Sequence, residues 1–233
     1  MFNINKERDY TCQYFLELIE SGTANGKTLI INPQMLKDLN YSIPPHNGDI
    51  IFVGFDATDP LRIRRNWRSS GRVFIVNSII STMSECLFEG GITLIESDMS
   101  IVAKMRQPRC DFFMDPASFE FYQEKKRHSK TMANLTIFVK PEEELRAELN
   151  ASANESPKID LLSYITITQP DLSSKETDSG IRIEGKTLKL YGPFLFDMTN
   201  IQSIDADIYL EDVLNQDLTG IEIKGDIDVT NRY

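Results

Sequence analysis

The order of apolar and polar residues divides this chain into short runs of period two and a few stretches of helical period. The run 72–80 (RVFIVNSII) is apolar on both parities, the mark of a strand covered on both faces in the middle of a sheet. Gly90 and Gly91 lead into a second run, 92–98 (ITLIESD), followed by 99–103 (MSIVA). These β-branched and aromatic runs, bounded by Gly, Ser and Asp, read as strands that the rest of the chain packs against. Phe74, Val76, Ile79, Ile92, Leu94, Ile137 and Val139 are the expected core.

Upstream, residues 9–20 place Tyr10, Tyr14, Phe15, Leu18 and Ile19 on one helical stripe, with Gly22 as the stop. Residues 28–31 read as a strand, Asn32 and Pro33 open a short helix to Leu39, and 49–55 is the next strand. Downstream, Asp115-Pro116 opens a helix with Phe119 and Tyr122 on one side, and 134–139 is a strand. The segment 141–149 is a short helix with Pro at its start and three glutamates near the positive end of its dipole. Small and polar residues at 150–157 mark a loop. Beyond it, 161–168, 181–183, 188–191, 204–210 and 221–229 alternate as strands with one wet face. No fixed-period repeat stands out, although the Ile-x-Ile units at 181 and 221 resemble each other.

This pattern predicts a mainly β protein, α+β in its N-terminal half, with an antiparallel β-sandwich-like architecture and about three short helices. The expected organisation is a β-rich core with short helices at 1–149, a loop or linker at 150–158, and an acidic all-β region at 159–233 packed on that core.

Composition narrows the setting. No run among the 233 residues reaches the ~18 to 20 apolar positions of a membrane helix. The first residues lack the basic-then-apolar layout of an export signal, and three widely spaced cysteines (Cys12, Cys86, Cys110) make no disulfide framework. A cytoplasmic or other intracellular location is expected, virion incorporation included, so the sequons at Asn40, Asn134, Asn150 and Asn154 read as chance. The net charge of −10 is uneven: residues 1–60 carry −4, 61–130 carry +4, and 131–233 carry −10.

The basic middle holds the clearest candidate contacts. Arg62, Arg64, Arg65, Arg68 and Arg72 surround Trp67, the residue types that suit phosphates and a stacked base, and Lys125, Lys126 and Arg127 form a second cluster in what reads as a charged loop. The plainer reading is an edge strand whose arginines meet acidic residues of the C-terminal third.

Motifs of catalysis are sparse. Residues 180–187 (GIRIEGKT) match the phosphate-loop pattern, but the interior alternates like a strand and no helix pattern follows, so a hairpin turning at 184–187 is expected. The pairs Asp205/Asp207 and Asp226/Asp228 each share a strand face, where carboxylates bind divalent cations or simply face solvent. His46 and His128 are the two histidines, and neither lies in a nucleophile or zinc motif. The leading expectation is therefore a non-enzymatic structural or assembly protein, an oligomer contacting other copies or partner chains, with no cofactor. A nucleic-acid-binding module through residues 62–72 ranks second, and a metal-dependent hydrolase using the aspartate pairs third.

Overall fold

The computed structural model of the protein describes residues 6–64, 67–84, 86–99, 104–105, 110–128, 135–214 and 216–230. The chain divides into two compact units, residues 1–18 with 157–232, and residues 19–156. Helix α1 (Lys6–Glu20) begins in the first of these.

Residues 19–156 wind as a parallel β-solenoid. Successive coils carry β1 (Leu29–Ile31) and helix α2 (Pro33–Asp38); then β2 (Ile50–Val53), β3 (Leu61–Ile63) and β4 (Arg68–Ser69); then β5 (Val73–Val76), β6 (Ile80–Met83) and β7 (Leu87–Phe88). The next coils carry β8 (Ile92–Ile95) and β9 (Lys104–Met105), β10 (Phe112–Met114) with α3 (Pro116–His128), and β11 (Ile137–Val139) with α4 (Glu142–Asn154). Like strands stack into sheets of order β1-β2-β5-β8-β10-β11, β3-β6-β9 and β4-β7. Leu29, Ile50, Val73, Ile92, Phe112 and Ile137 occupy one rung position, 19 to 25 residues apart.

The antiparallel sandwich is thus corrected: every strand pair described in this unit is parallel. Short strands separated by Gly, Asn and Ser turns occur in both architectures, and pairing direction is not written in any single strand. The missed signal was the repeat. Gly48, Gly71 and Gly90 stack where each coil begins its strand, and a Cβ on Gly71 would lie 2.3 Å from the Gly48 carbonyl oxygen. Where the strand ends, Gly54, Asn77 and Glu96 adopt left-handed φ values of 75°, 42° and 46° at matching positions.

The corner after that turn is held by buried serines. The backbone N–H of Phe55 donates to Ser78 Oγ (3.3 Å), that of Ser78 to Ser97 Oγ (3.3 Å), and that of Ser97 to Ser118 Oγ (2.9 Å). The Ser97 hydroxyl donates on to the Ile75 and Ile95 carbonyls. Asp115, fully buried at the start of α3, accepts from the Glu96 and Ser118 amides. Each coil therefore satisfies the turn of the coil before it.

Helix α4 runs back across the sheet. Arg146 pairs with Glu96 (2.6 Å), Glu148 with Arg72 (3.7 Å), and Ser152 donates to Asp49 (2.8 Å), while the Glu155 carbonyl accepts from the Thr28 amide (3.4 Å). Those partners lie beside β8, β5, β2 and β1 in turn, and Leu145, Leu149 and Ala153 are buried beneath. This cover explains why β2, β5 and β8 are buried at every position. It also makes 150–154 helix rather than the expected loop. Of the expected core, Phe74, Val76, Ile92 and Leu94 are buried, Ile79 and Ile137 are half-buried, and Val139 is 48% exposed because β11 is the last strand of its sheet.

The other unit contains a second parallel stack. It comprises β12 (Ile159–Asp160), α5 (Leu161–Thr168), β13 (Ser173–Thr177), β14 (Gly180–Tyr191), β15 (Phe196–Asp197), β16 (Ile201–Glu211), β17 (Glu222–Ile223) and β18 (Ile227–Thr230). β14 pairs β16, β16 pairs β17 and β18, and β12 pairs β15, all parallel. Only β13 with β14 is antiparallel among the described pairs. Asx turns twenty residues apart precede two of the coils: Asp197 accepts from the Thr199 amide and hydroxyl, and Asp217 from the Thr219 amide. Glutamine amides complete the ladder where strands lapse. Gln169 exchanges two hydrogen bonds with the Lys189 backbone (2.8 and 2.7 Å), and Gln216 does the same at Phe196 (2.8 and 3.2 Å).

Residues 161–168, expected as a strand, form α5, so the described helices number five and this region is not all β. Asp160 caps it by accepting from the Ser163 amide, and burial of Tyr164 against Tyr10 and Phe196 outweighs the β-branched propensity of Ile165 to Thr168. Helix α1 is anchored in the same unit by Phe15 stacked on Phe194 at 4.0 Å and by an ion pair of Arg8 with the buried Glu211.

Two substitutions test the stacking. Gly71→Ala should destabilise residues 19–156 by at least ~1–3 kcal/mol, the cost of overpacking against backbone that cannot move aside. Ser97→Ala, which unpairs the buried Ser78 amide, should cost ~1–3 kcal/mol in urea titrations.

Candidate functional site: the arginine stretch and the open solenoid edge

The basic stretch breaks up in the fold. Leu61 and Ile63 point into the solenoid, so Arg62 between them, with Arg64 and Arg68, is exposed. Trp67 is 1% exposed and stacks on Phe52, with ring centroids 5.6 Å apart. It is a core residue and offers no face to a base, which corrects its place among the contact candidates. Arg72 is engaged as well, binding Asp49 through Nε (3.1 Å) and Nη2 (2.9 Å) and crossing the ring of Phe74. Arg64 covers the ring of Tyr41 at 5.4 Å. Arg65 lies outside the described residues. Lys125, Lys126 and Arg127 fall in the last turn of α3 rather than in a loop, where cations suit the helix C-terminus. Lys126 lies over the Tyr122 ring.

The catalytic candidates are also placed. Gly180 to Tyr191 is one strand with a bulge between Glu184 and Thr187, so the chain turns at 178–179, not at 184–187 as the sequence suggested. Gly185, Lys186 and Thr187 line a groove of about 600 Å³ with Glu7, Gln169 and Asp171, on extended backbone rather than a phosphate-cradling loop. Asp205 is held by Arg182 (2.6 Å) and Lys224 (3.7 Å), and Asp207 accepts from the Asp226 amide (3.1 Å). Among the described residues no group of three or more His, Cys, Asp or Glu is arranged around a metal position. Burial pushes the Cys86 and Cys110 thiols up to about 12, so neither is a thiolate at neutral pH.

His46 is 6% exposed, and its Nε2–H donates to the Lys27 carbonyl at 2.6 Å. Burial lowers its pKa, against the opposing effect of that hydrogen bond. It is a structural histidine tying one coil to the next.

A further surface is the edge of the C-terminal stack, where the sequence suggested only the Asp226/Asp228 pair as a candidate cation site. Three inward rungs cross it: Ile183–Ile204–Ile223, Leu188–Ile208–Ile227 and Leu190–Leu210–Val229. Ile183, Ile204, Leu188 and Ile208 are fully buried, yet Ile227 is 47% and Val229 53% exposed. Among the described residues nothing pairs with the outer side of β17 or β18. The sheet's other edge is different in kind, since β13 (SSKET) is exposed throughout and pairs Lys175 with Glu184 at 2.5 Å. One edge is closed by a polar hairpin; the other presents the cross-section of a core. The signal lay in the alternation of 221–229, whose aliphatic half looked like any buried strand face.

Comparison with family models, with characterised proteins and with solved structures found no match. No described helix is long and apolar enough to cross a membrane.

Two outcomes check this placement. Trp67→Ala should destabilise the protein by ~3–5 kcal/mol, as loss of a core aromatic does. A change in nucleic-acid affinity with unchanged stability would contradict its buried position. Because burial in the folded protein favours the neutral form of His46, its contribution is complete above the ordinary pKa of ~6.5 and is lost as pH falls below it. The drop in melting temperature between about pH 7.5 and pH 5 should therefore be smaller in His46→Gln than in the native protein.

Proposed function

We propose that this chain is a non-enzymatic assembly protein, a parallel β-solenoid that works by contacting other copies or partner chains. The observation that carries the reading is the open edge at β17 and β18. A solenoid stack is stable in water only when its terminal coils are capped, and an uncovered apolar edge strand with free backbone groups is a template for another chain. Ile227 and Val229 continue buried aliphatic rungs and stop at half exposure. β11, the last strand of the other unit's large sheet, repeats the feature, with Phe138 47% and Val139 48% exposed. Asp115, Asp197 and Asp205 are engaged in a helix start, an Asx turn and an ion pair, which supports a structural role for them. The burial of Trp67 and the pairing of Arg72 argue against base stacking at residues 62–72. The reading places the chain in a larger particle, inside the cell or in a virion.

Native mass spectrometry and light scattering across a concentration series, with co-purification from the native source, test it. Association with copies or with a stoichiometric partner is the expected result. A monomer at every concentration with no partner retained overturns the reading.

A further inference from the structure

Resting on that assembly reading, we propose that the open edge of the C-terminal stack is closed by the same edge of a second copy, paired antiparallel about a two-fold axis at Asp226. The two edges of the sheet differ, since one is the exposed polar strand β13, so head-to-tail stacking through this sheet would set aliphatic rungs against a polar edge. An isologous pair, in which both copies use one patch, closes at two.

Side-chain parity selects the register. Ile223, Ile227 and Val229 continue the inward rungs, while Glu222, Lys224, Asp226 and Asp228 face outward. Centred on Asp226, antiparallel pairing puts Ile223 opposite Val229 of the second copy on the core side, twice by symmetry. It puts Lys224 opposite Asp228 on the outer side, also twice, and leaves one like-charge pair, Asp226 with its own symmetry mate. Centring one residue earlier, on Gly225, pairs Lys224 with Asp226 twice but sets Glu222 against Asp228 twice, one like-charge pair more than the Asp226-centred register. Centring one residue later, on Ile227, sets Asp226 against Asp228 twice and loses the lysine pairs. Directly opposed like charges destabilise a strand pair and opposite charges stabilise it, so the Asp226-centred register is the one this edge favours. Gly225 bends the chain between β17 and β18, and a Cβ on it would lie 2.3 Å from the Ala206 carbonyl oxygen, so the backbone of this edge lies close against β16 at the centre of the proposed pairing.

Sedimentation equilibrium of the full chain tests this, with circular dichroism melting to confirm that each variant is folded. The native chain should be dimeric, and Val229→Lys should shift it to monomer. Lys224→Asp should weaken the dimer about tenfold or more, and adding Asp228→Lys should restore it, because the two lysine–aspartate pairs are then re-formed in reverse. Asp226→Asn should tighten it about 2- to 5-fold by removing the like-charge pair. Association that ignores Val229→Lys and Lys224→Asp overturns this interface while leaving the assembly reading standing. A dimer weakened by Lys224→Asp but not restored by Asp228→Lys shows the register to be wrong. A native chain that is monomeric yet retains an unlike partner assigns the edge to that partner and overturns the self-pairing.

Discussion

Everything in this fold depends on coils of about twenty residues returning to the same register. A parallel pair cannot be closed by a two-residue hairpin, so each strand must travel around the solenoid before it meets its neighbour. That journey succeeds only if every coil turns in the same places. The stacked glycines 48, 71 and 90 let backbones approach where strands begin, and the left-handed residues 54, 77 and 96 turn the chain where they end. The serine corner then ties each turn to the next coil by hydrogen bonds that no single coil makes for itself.

A stack of this kind has two ends, and its stability is a sum of neighbour contacts. The protein treats the ends of its C-terminal stack differently. The β13 hairpin closes one with serines, a lysine and a glutamate, reversing strand direction as it does so. The other ends in β17 and β18 with aliphatic side chains half in water. Aliphatic rungs that are dry inside and wet at the last step are the physical basis for placing a partner there.

Several charged and polar residues hold neighbouring coils together. Asp49 accepts from the backbone and guanidinium of Arg72 and from Ser152, joining two strands and the covering helix at one carboxylate. Arg182 on β14, Asp205 on β16 and Lys224 between β17 and β18 alternate in sign. Asp56, Asp197 and Asp217 have lowered pKa values because adjacent threonine groups donate to them, so these turns are strongest when the carboxylates are ionised.

The sequence by itself determined the local elements whose cause is local. Asn32 and Pro33 fixed the start of α2, Pro141 and its glutamates fixed that of α4, and the doubly apolar run at 73–76 marked a central strand, because capping, dipole and burial on both faces leave their signature in neighbouring residues. Pairing direction was invisible, since a strand's own alternation is the same whichever way its neighbour runs. The repeat was visible only in retrospect, as Gly-x-apolar runs 19 to 23 residues apart whose intervening coils differ in length and composition. Tertiary packing turned the β-branched segment 161–168 into a helix by burying Tyr164, and it took Trp67 out of the arginine stretch and into the core against Phe52. The aliphatic face of 227–229 was legible as apolar, but its place at the edge of a sheet, with no rung beyond it among the described residues, was decided only by the pairing of β17 and β18 with β16.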